Sequence, residues 1–163
     1  MSTRVRIGLI SDTHGLLRPE ALAALAAVDH IIHAGDIGGI RAGDLDGDAL
    51  LEKLRGLAPV TAVRGNNDLG PWADALAETA SVQLDGRTMR VVHDLKQLAP
   101  AEFAAGYAAI VCGHSHRPQV LERDGTLIVN PGSAGPRRFS LPVAVGFLEL
   151  DSTGVRARIQ SIR

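Results

Sequence analysis

Five times along this chain a short apolar run stops at a turn that carries aspartate, asparagine or histidine. VRIGLI (5–10) runs into SDTHG, HII (30–32) into HAGD, VTAV (60–63) into RGNND, RVV (90–92) into HD, and AIVC (109–112) into GHSH. Runs this short, apolar and bounded by glycine and polar residues read as buried strands rather than helices. Open α/β sheets bind ligands beyond the carboxyl ends of their parallel strands. If these five ends gather at one edge, two carboxylates, an amide oxygen and four imidazoles converge there.

The segments between the runs supply the rest of the architecture. PEALAALAAV (19–28) opens on a proline suited to a first helical turn, and DALLEKLRGL (48–57) places apolar residues at helical spacing. Alternation of strand and helix through residue 68 predicts parallel pairing with right-handed crossovers. Beyond residue 80 the texture changes. ASVQLDGRTMRVVHD reads as two strands joined at the Asp85-Gly86 hairpin signal, and PAEFAAGYA as a short helix before the strand AIVCG. QVLERDGTLIVN carries a second Asp-Gly signal, and VAVGFLELDSTGVRARIQSIR a turn between two closing strands. The expectation is an α/β chain with a parallel first half and a more antiparallel second half, in one domain over residues 1–163.

Composition excludes several function classes. With 163 residues, one domain can bury about two-thirds of the surface of the unfolded chain. The chain is 45% hydrophobic but only 3% aromatic, so aliphatic side chains must fill the core. A net charge of −1 gives no electrostatic grip on nucleic acid or an anionic membrane, and scarce aromatics remove the stacking platforms of single-strand binders. Neither specific nucleic acid nor membrane is expected as a partner. The only cysteine, Cys112, has no internal disulfide partner, which fits a reducing cytoplasm. There is no apolar run of about 18 residues, and Met1–Ser11 lacks the build of a signal peptide.

Taken singly, the polar turns are ordinary: Asp and His cap backbone groups, Gly-Asp punctuates turns, and His93 alone could be a core histidine. GHSH is more demanding, because two histidines one residue apart would each need local hydrogen-bond partners. The conjunction carries the reading. Imidazoles, carboxylates and an amide oxygen without thiolate suit Mn²⁺, Fe, Zn²⁺ or Ni²⁺. Asp12, His14, Asp36, Asn66, His93, His114 and His116 are too many for one catalytic ion with an open position, and suit two ions sharing a carboxylate. Alternate residues of the GHSH turn can send one imidazole to each ion, with Gly113 allowing the backbone to turn closely.

ISDTHG, IIHAGD, RGNND, CGHSH and NPGS together make the chain similar to the calcineurin-like metallophosphoesterase superfamily, whose signature is D-x-H, G-D, G-N-H-[DE], H, G-H-x-H. Within it, the chain resembles the small single-domain bacterial and archaeal phosphodiesterases. That likeness implies a four-layer αββα sandwich, two mixed β-sheets packed face to face and flanked by helices. It implies two divalent metal ions, Mn²⁺ foremost, with Fe, Zn, Ni or Mg as alternatives. Asp12, His14 and His116 would hold the first ion, Asn66, His93 and His114 the second, and Asp36 would bridge both. The implied reaction is attack of a shared hydroxide on phosphorus, in line with the departing alkoxide.

One position departs from the signature. Where the superfamily has a histidine that stabilises the phosphoryl group or protonates the leaving oxygen, this chain has Asn67. A neutral amide can donate a hydrogen bond to a phosphoryl oxygen but cannot act as an acid near pH 7, a contribution typically of about 10²–10⁴-fold. The expectation is a preference for small phosphate esters whose leaving groups need little protonation, diesters ahead of monoesters. Arg64 is a candidate for reaching substrate, and Arg137 and Arg138 either assist phosphate recognition or sit in water. His33 reads as a packed neighbour of the site, and His30 has no evident partner. The rival reading is a non-catalytic scaffold like the retromer subunit built on the same fold, with phosphomonoesterase activity a further alternative. Oligomeric state is open.

Overall fold

The computed structural model describes residues 4–162. Ten strands form two five-stranded sheets. The first contains β1 (Val5–Ile10), β2 (His30–His33), β3 (Val60–Ala62), β9 (Ala144–Asp151) and β10 (Gly154–Ser161), in the order β10-β9-β1-β2-β3. The second contains β4 (Thr79–Leu84), β5 (Arg87–Val92), β6 (Ala109–Val111), β7 (Gln119–Arg123) and β8 (Thr126–Asn130), in the order β4-β5-β6-β8-β7. Both are mixed. The strands β1, β2 and β3 pair in parallel, with β9 and β10 antiparallel beside them. In the second sheet β5, β6 and β8 pair in parallel, and β4 and β7 close the edges antiparallel.

Strand periodicity explains the layering, because alternate side chains must face opposite sides. Ile7 and Leu9 of β1 and Leu148 and Leu150 of β9 meet Met89, Val91, Ala109, Val111 and Val129 between the sheets. On the outer face of the first sheet, Ile10, Val145 and Phe147 pack on Leu25, Leu50, Leu51 and Leu54. These come from and around α1 (Pro19–Ala24) and α2 (Gly47–Arg55). The outer face of the second sheet, Val92, Ile110, Cys112 and Ile128, is covered by Leu98 and Phe103. Fully burying each aliphatic side chain of this kind contributes about 1.5–3 kcal/mol.

The second half of the chain is the more antiparallel one, as expected: β4 with β5, β7 with β8, β9 with β10 and β9 with β1 all pair antiparallel, although β5, β6 and β8 pair in parallel and β9 and β10 return to the first sheet beside β1. Two expectations need correction. The helix expected over 19–28 stops at Ala24, because Asp29 must fold back onto Arg6, exchanging two hydrogen bonds with its backbone at 2.8 Å, before β2 can pair with β1. PAEFAAGYA forms only a 3₁₀ turn over Pro100–Ala104, so the outer layer on that side is made of turns and loops rather than α-helix. A further short helix, α3 (Pro71–Asp74), lies after the RGNND turn. Among the described residues no helix is long and apolar enough to cross a membrane.

Candidate metal centre

The carboxyl ends of β1, β2, β3, β5 and β6 deliver their polar turns to one place. Asp12, His14, Asp36, His114 and His116 all have left-handed backbone, with φ of 54°, 44°, 57°, 74° and 62°. Aspartate and histidine tolerate that region better than branched residues, yet each such position costs of order 1–3 kcal/mol and persists only where its surroundings impose it. Here the turns hold one another: the Asp12, His14 and Gly15 amides donate to the Gly35, Asp36 and Ile37 carbonyls at 2.8–3.0 Å. A side chain on Gly113 would collide with Ser11, so only glycine lets the GHSH turn close against β1.

Two groups of ligand-type atoms form, Asp12 with His14 and His116, and Asp12 with Asp36 and His93, each with its atoms within 4.8 Å of one another. The His14 and His116 Nε2 atoms are 3.4 Å apart, and His116 Nε2 is 3.4 Å from Asp12 Oδ1. Asp36 Oδ2 lies 3.3 Å from His93 Nε2 and 3.7 Å from His14 Nε2, between a histidine of each group. Asn66 Oδ1 is 3.2 Å from His114 Nδ1, and the His114 ring meets the His93 ring edge-on at 5.2 Å. Asp12, Asp36, His93 and His116 are buried, whereas Asn66 and His114 are exposed, so the Asn66–His114 pair lies on the solvent side of the two groups.

The donor set fits cations. Among the described residues, four buried side-chain nitrogen or oxygen atoms have no hydrogen-bond partner, and three belong here: Asp12 Oδ1, His93 Nε2 and His116 Nδ1. His93 Nδ1 donates to the Ala34 carbonyl at 2.7 Å, which aims Nε2 at the carboxylates; burial works against a charge on the ring, but Asp36 and Asp12 outweigh it and raise the His93 pKa. Only a proton or a cation between them makes that arrangement favourable, and a hydrogen bond to the far ring nitrogen is how proteins orient ligating histidines. Burial pushes the Asp12 carboxyl up to about 7, against the pull of His93 and of the Ser11 hydroxyl. Burial alone would raise Asp36 too, but His93 and the two Asn67 donors hold it well below the usual carboxylate range. Burial, reinforced by Arg138 and His14, lowers His116 to about 4, and burial lowers His14 as well, so both imidazoles are neutral near pH 7 and present lone pairs.

The sequence profile of the calcineurin-like phosphoesterase superfamily domain matches residues 5–153. This chain belongs to that superfamily. It is 30% identical to a probable metallophosphoesterase of Methanothermobacter thermautotrophicus, over 94% of this chain and 90% of that protein. It is 26% identical to a phosphodiesterase of Methanocaldococcus jannaschii, over 93% and 97%. The solved structure of Vacuolar Protein Sorting 29 from Cryptosporidium parvum shares the fold with a TM-score of 0.73 at 18% identity, covering 96% of this chain and 97% of that one. As a calcineurin-like phosphoesterase, the chain is a hydrolase of a family that typically binds divalent metals, and its polar turns offer matching groups of ligands.

Several residues of this phosphoesterase do more, or other, than their sequence context indicates. The Asn67 backbone amide and Nδ2 donate to the two oxygens of Asp36 at 2.9 and 3.0 Å, so this residue steadies the Asp36 carboxylate. Arg64 lines a cleft with Asn66, His93 and His114, but its guanidinium is turned to Glu78 at 3.2 Å and Asp74 at 3.7 Å. His33 is fully buried; its Nε2 meets the Thr13 hydroxyl at 2.9 Å, and burial lowers it to about 3. His30 has a partner after all, Thr61 Oγ1 at 2.8 Å.

Sequence reasoning missed the residues that hold the turns. Asp68 accepts the backbone amides of Asp36, Ile37, Gly38 and Gly65 at 2.8–3.3 Å. Asn130 Nδ2 donates to the Gly113 carbonyl at 2.9 Å, and Ser133 Oγ donates to the Asp12 carbonyl at 3.0 Å, so NPGS buttresses two site turns. Their partners are backbone groups distant in sequence, which leave no local pattern. The position of Asp68, directly after the Asn66-Asn67 pair, was the available signal.

Proposed function

We propose that this phosphoesterase hydrolyses phosphodiesters with two divalent ions, Mn²⁺ first among the candidates. Asp12, His14 and His116 hold one ion, Asn66, His93 and His114 the other, and Asp36 is shared. The observation that carries this reading is that both ligand groups contain the buried Asp12 carboxylate while Asp36 Oδ2 lies between His14 and His93, with unpartnered histidine and carboxylate atoms facing each other. Bound, the ions would supply an activated water and positive charge at the phosphoryl oxygens. The chain's own work is orientation. Ser11 Oγ and the His114 amide donate to Asp12 Oδ2 at 2.8 and 3.1 Å and fix its rotamer, leaving Oδ1 for a cation. Asn67 does the same for Asp36, and its second Nδ2 hydrogen remains for a phosphoryl oxygen.

No residue of the site matches the superfamily's non-ligand histidine, which supports diesters with good leaving groups as the better substrates. The test pairs metal analysis of protein purified without chelator with turnover of bis-p-nitrophenyl phosphate and p-nitrophenyl phosphate. We expect bound metal, Mn²⁺-dependent activity, faster turnover of the diester, and loss of metal and activity together in Asp36→Ala. Full activity in that variant removes Asp36 from its shared role. Metal without turnover of either ester replaces the enzyme by a scaffold, and a faster monoester reaction by a phosphomonoesterase.

A further inference from the structure

We propose that the cleft beside His14 and Asn67 is the subsite for an ester arm that carries a second phosphate on an apolar body; this deepens the phosphodiesterase reading and rests on it. The cleft has a volume of about 660 Å³ and is walled by two loops that the metal centre does not use, one around Ile40 and Arg41 and one over Pro136–Arg138. Three guanidinium groups line it, those of Arg41, Arg137 and Arg138, against the single carboxylate of Asp44. Among the described residues none of the three has a carboxylate within 4.0 Å of its side-chain nitrogens, whereas Arg64, Arg90 and Arg156 hold Glu78, Glu102 and Asp151. Asp44 itself is occupied by the Arg41 backbone amide at 2.9 Å.

Unpaired arginines gathered on one concave surface focus a positive field, and the planar fork matches phosphate oxygens bidentately. The same cleft presents apolar surface: Ile40 is 93% and Leu69 73% exposed. Side chains of that size left so open cost hydration unless something covers them at least transiently. Backbone geometry singles out the same rim. Among the described residues, eight non-glycine residues have left-handed φ: five are candidate ligands, Asp85 and Asp124 make the hairpin turns, and the eighth is Phe139, adjoining Arg138, with φ of 54° and 93% exposure. An arm reaching from the ions over Ile40 and Leu69 would place a second phosphate among the three arginines.

The test uses two chromogenic diesters with the same reacting phosphate and leaving group, thymidine 5′-(p-nitrophenyl phosphate) with and without a 3′-phosphate. We expect the 3′-phosphorylated ester to have a kcat/KM about tenfold higher in the Mn²⁺-loaded protein. The ratio should fall toward one in Arg137→Gln/Arg138→Gln and persist in Lys53→Gln/Arg55→Gln, which removes the same charge from the outer helix α2. Calorimetry with thymidine 3′,5′-bisphosphate and thymidine 5′-monophosphate, with and without Mn²⁺, provides a readout that needs no turnover. A preference for the bisphosphate that only the Arg137/Arg138 variant loses upholds the subsite. Equal turnover and equal binding of the two members of each pair overturn it while leaving the phosphodiesterase reading intact; absence of turnover on both esters sinks that reading, and the binding arm still decides the subsite.

Discussion

Asp12 concentrates the energetic problem of the site in one side chain. Its Oδ2 accepts two hydrogen bonds, while the buried Oδ1 has none and faces histidine nitrogens. Burial pushes its pKa up to about 7 from 3.8. The sign follows from linkage: a carboxyl whose folded pKa is raised stabilises the fold fully below the unfolded pKa and loses that contribution as pH rises through the folded value. The metal-free protein therefore loses stability from this group between about pH 4 and 7, at up to about 1.4 kcal/mol per pH unit. An asparagine keeps an acceptor for Ser11 and the His114 amide and turns its donor toward the His116 and His93 nitrogens. Metal-free Asp12→Asn should accordingly melt above wild type at pH 8, with the gap closing toward pH 5, and should lose the rise in Tm that Mn²⁺ gives wild type. Melting temperatures with and without chelator at the two pH values check this; an Asn variant less stable at both would mean that burial does not dominate Asp12.

Between elements, the turn after β3 is tied to the turn after β2 through one carboxylate. Asp68 gathers four backbone amides from both turns, three of them on consecutive residues Asp36–Gly38. Each buried donor left without an acceptor costs about 1–3 kcal/mol, so Asp68→Ala should lose about 3–5 kcal/mol in urea unfolding and weaken metal binding by displacing Asp36. Asp68→Asn, which retains one acceptor oxygen, should lose less; an alanine variant within about 1 kcal/mol of wild type would show that water replaces the carboxylate. Strands and hairpins were legible in the sequence because their signals are local: the short apolar run VRIGLI, buried continuously from Ile7 to Ile10, and Asp-Gly at residues 85–86 and 124–125. The ligand turns were legible for a chemical reason, since aspartate, asparagine and histidine have few grounds for recurring at strand ends. What was not legible is long-range. Alanine-rich 19–28 has helical propensity throughout, yet the pairing of β1 with β2 ends it early; and no local pattern says that β9 leaves the second sheet for the first. Asp68 belongs to the same class, because its acceptors matter only once two distant turns are adjacent.

At the scale of the molecule, the candidate centre is a clasp between sheets. Asp12, His14, Asp36 and Asn66 follow strands of the first sheet, and His93, His114 and His116 follow strands of the second. The sheets already share an apolar interface, but at their polar rim like-charged and lone-pair groups oppose one another, so that edge is where the metal-free protein should open first. Ions held from both sides, as proposed, would reverse this. With metal at about a hundredfold over its dissociation constant the folded state gains about 2.7 kcal/mol, and the gain is shared by every element whose opening releases the ion. Hydrogen exchange should therefore show Mn²⁺-dependent protection at residues 11–15, 34–38 and 65–68 of the first sheet together with 93–94 and 113–116 of the second. His116→Ala, which touches only the second sheet's turn, should reduce protection in the first sheet's turns as well. Protection confined to one sheet, or a His116→Ala effect that stays local, would mean that each ion binds within a single sheet, and the shared position of Asp36 would have to be abandoned.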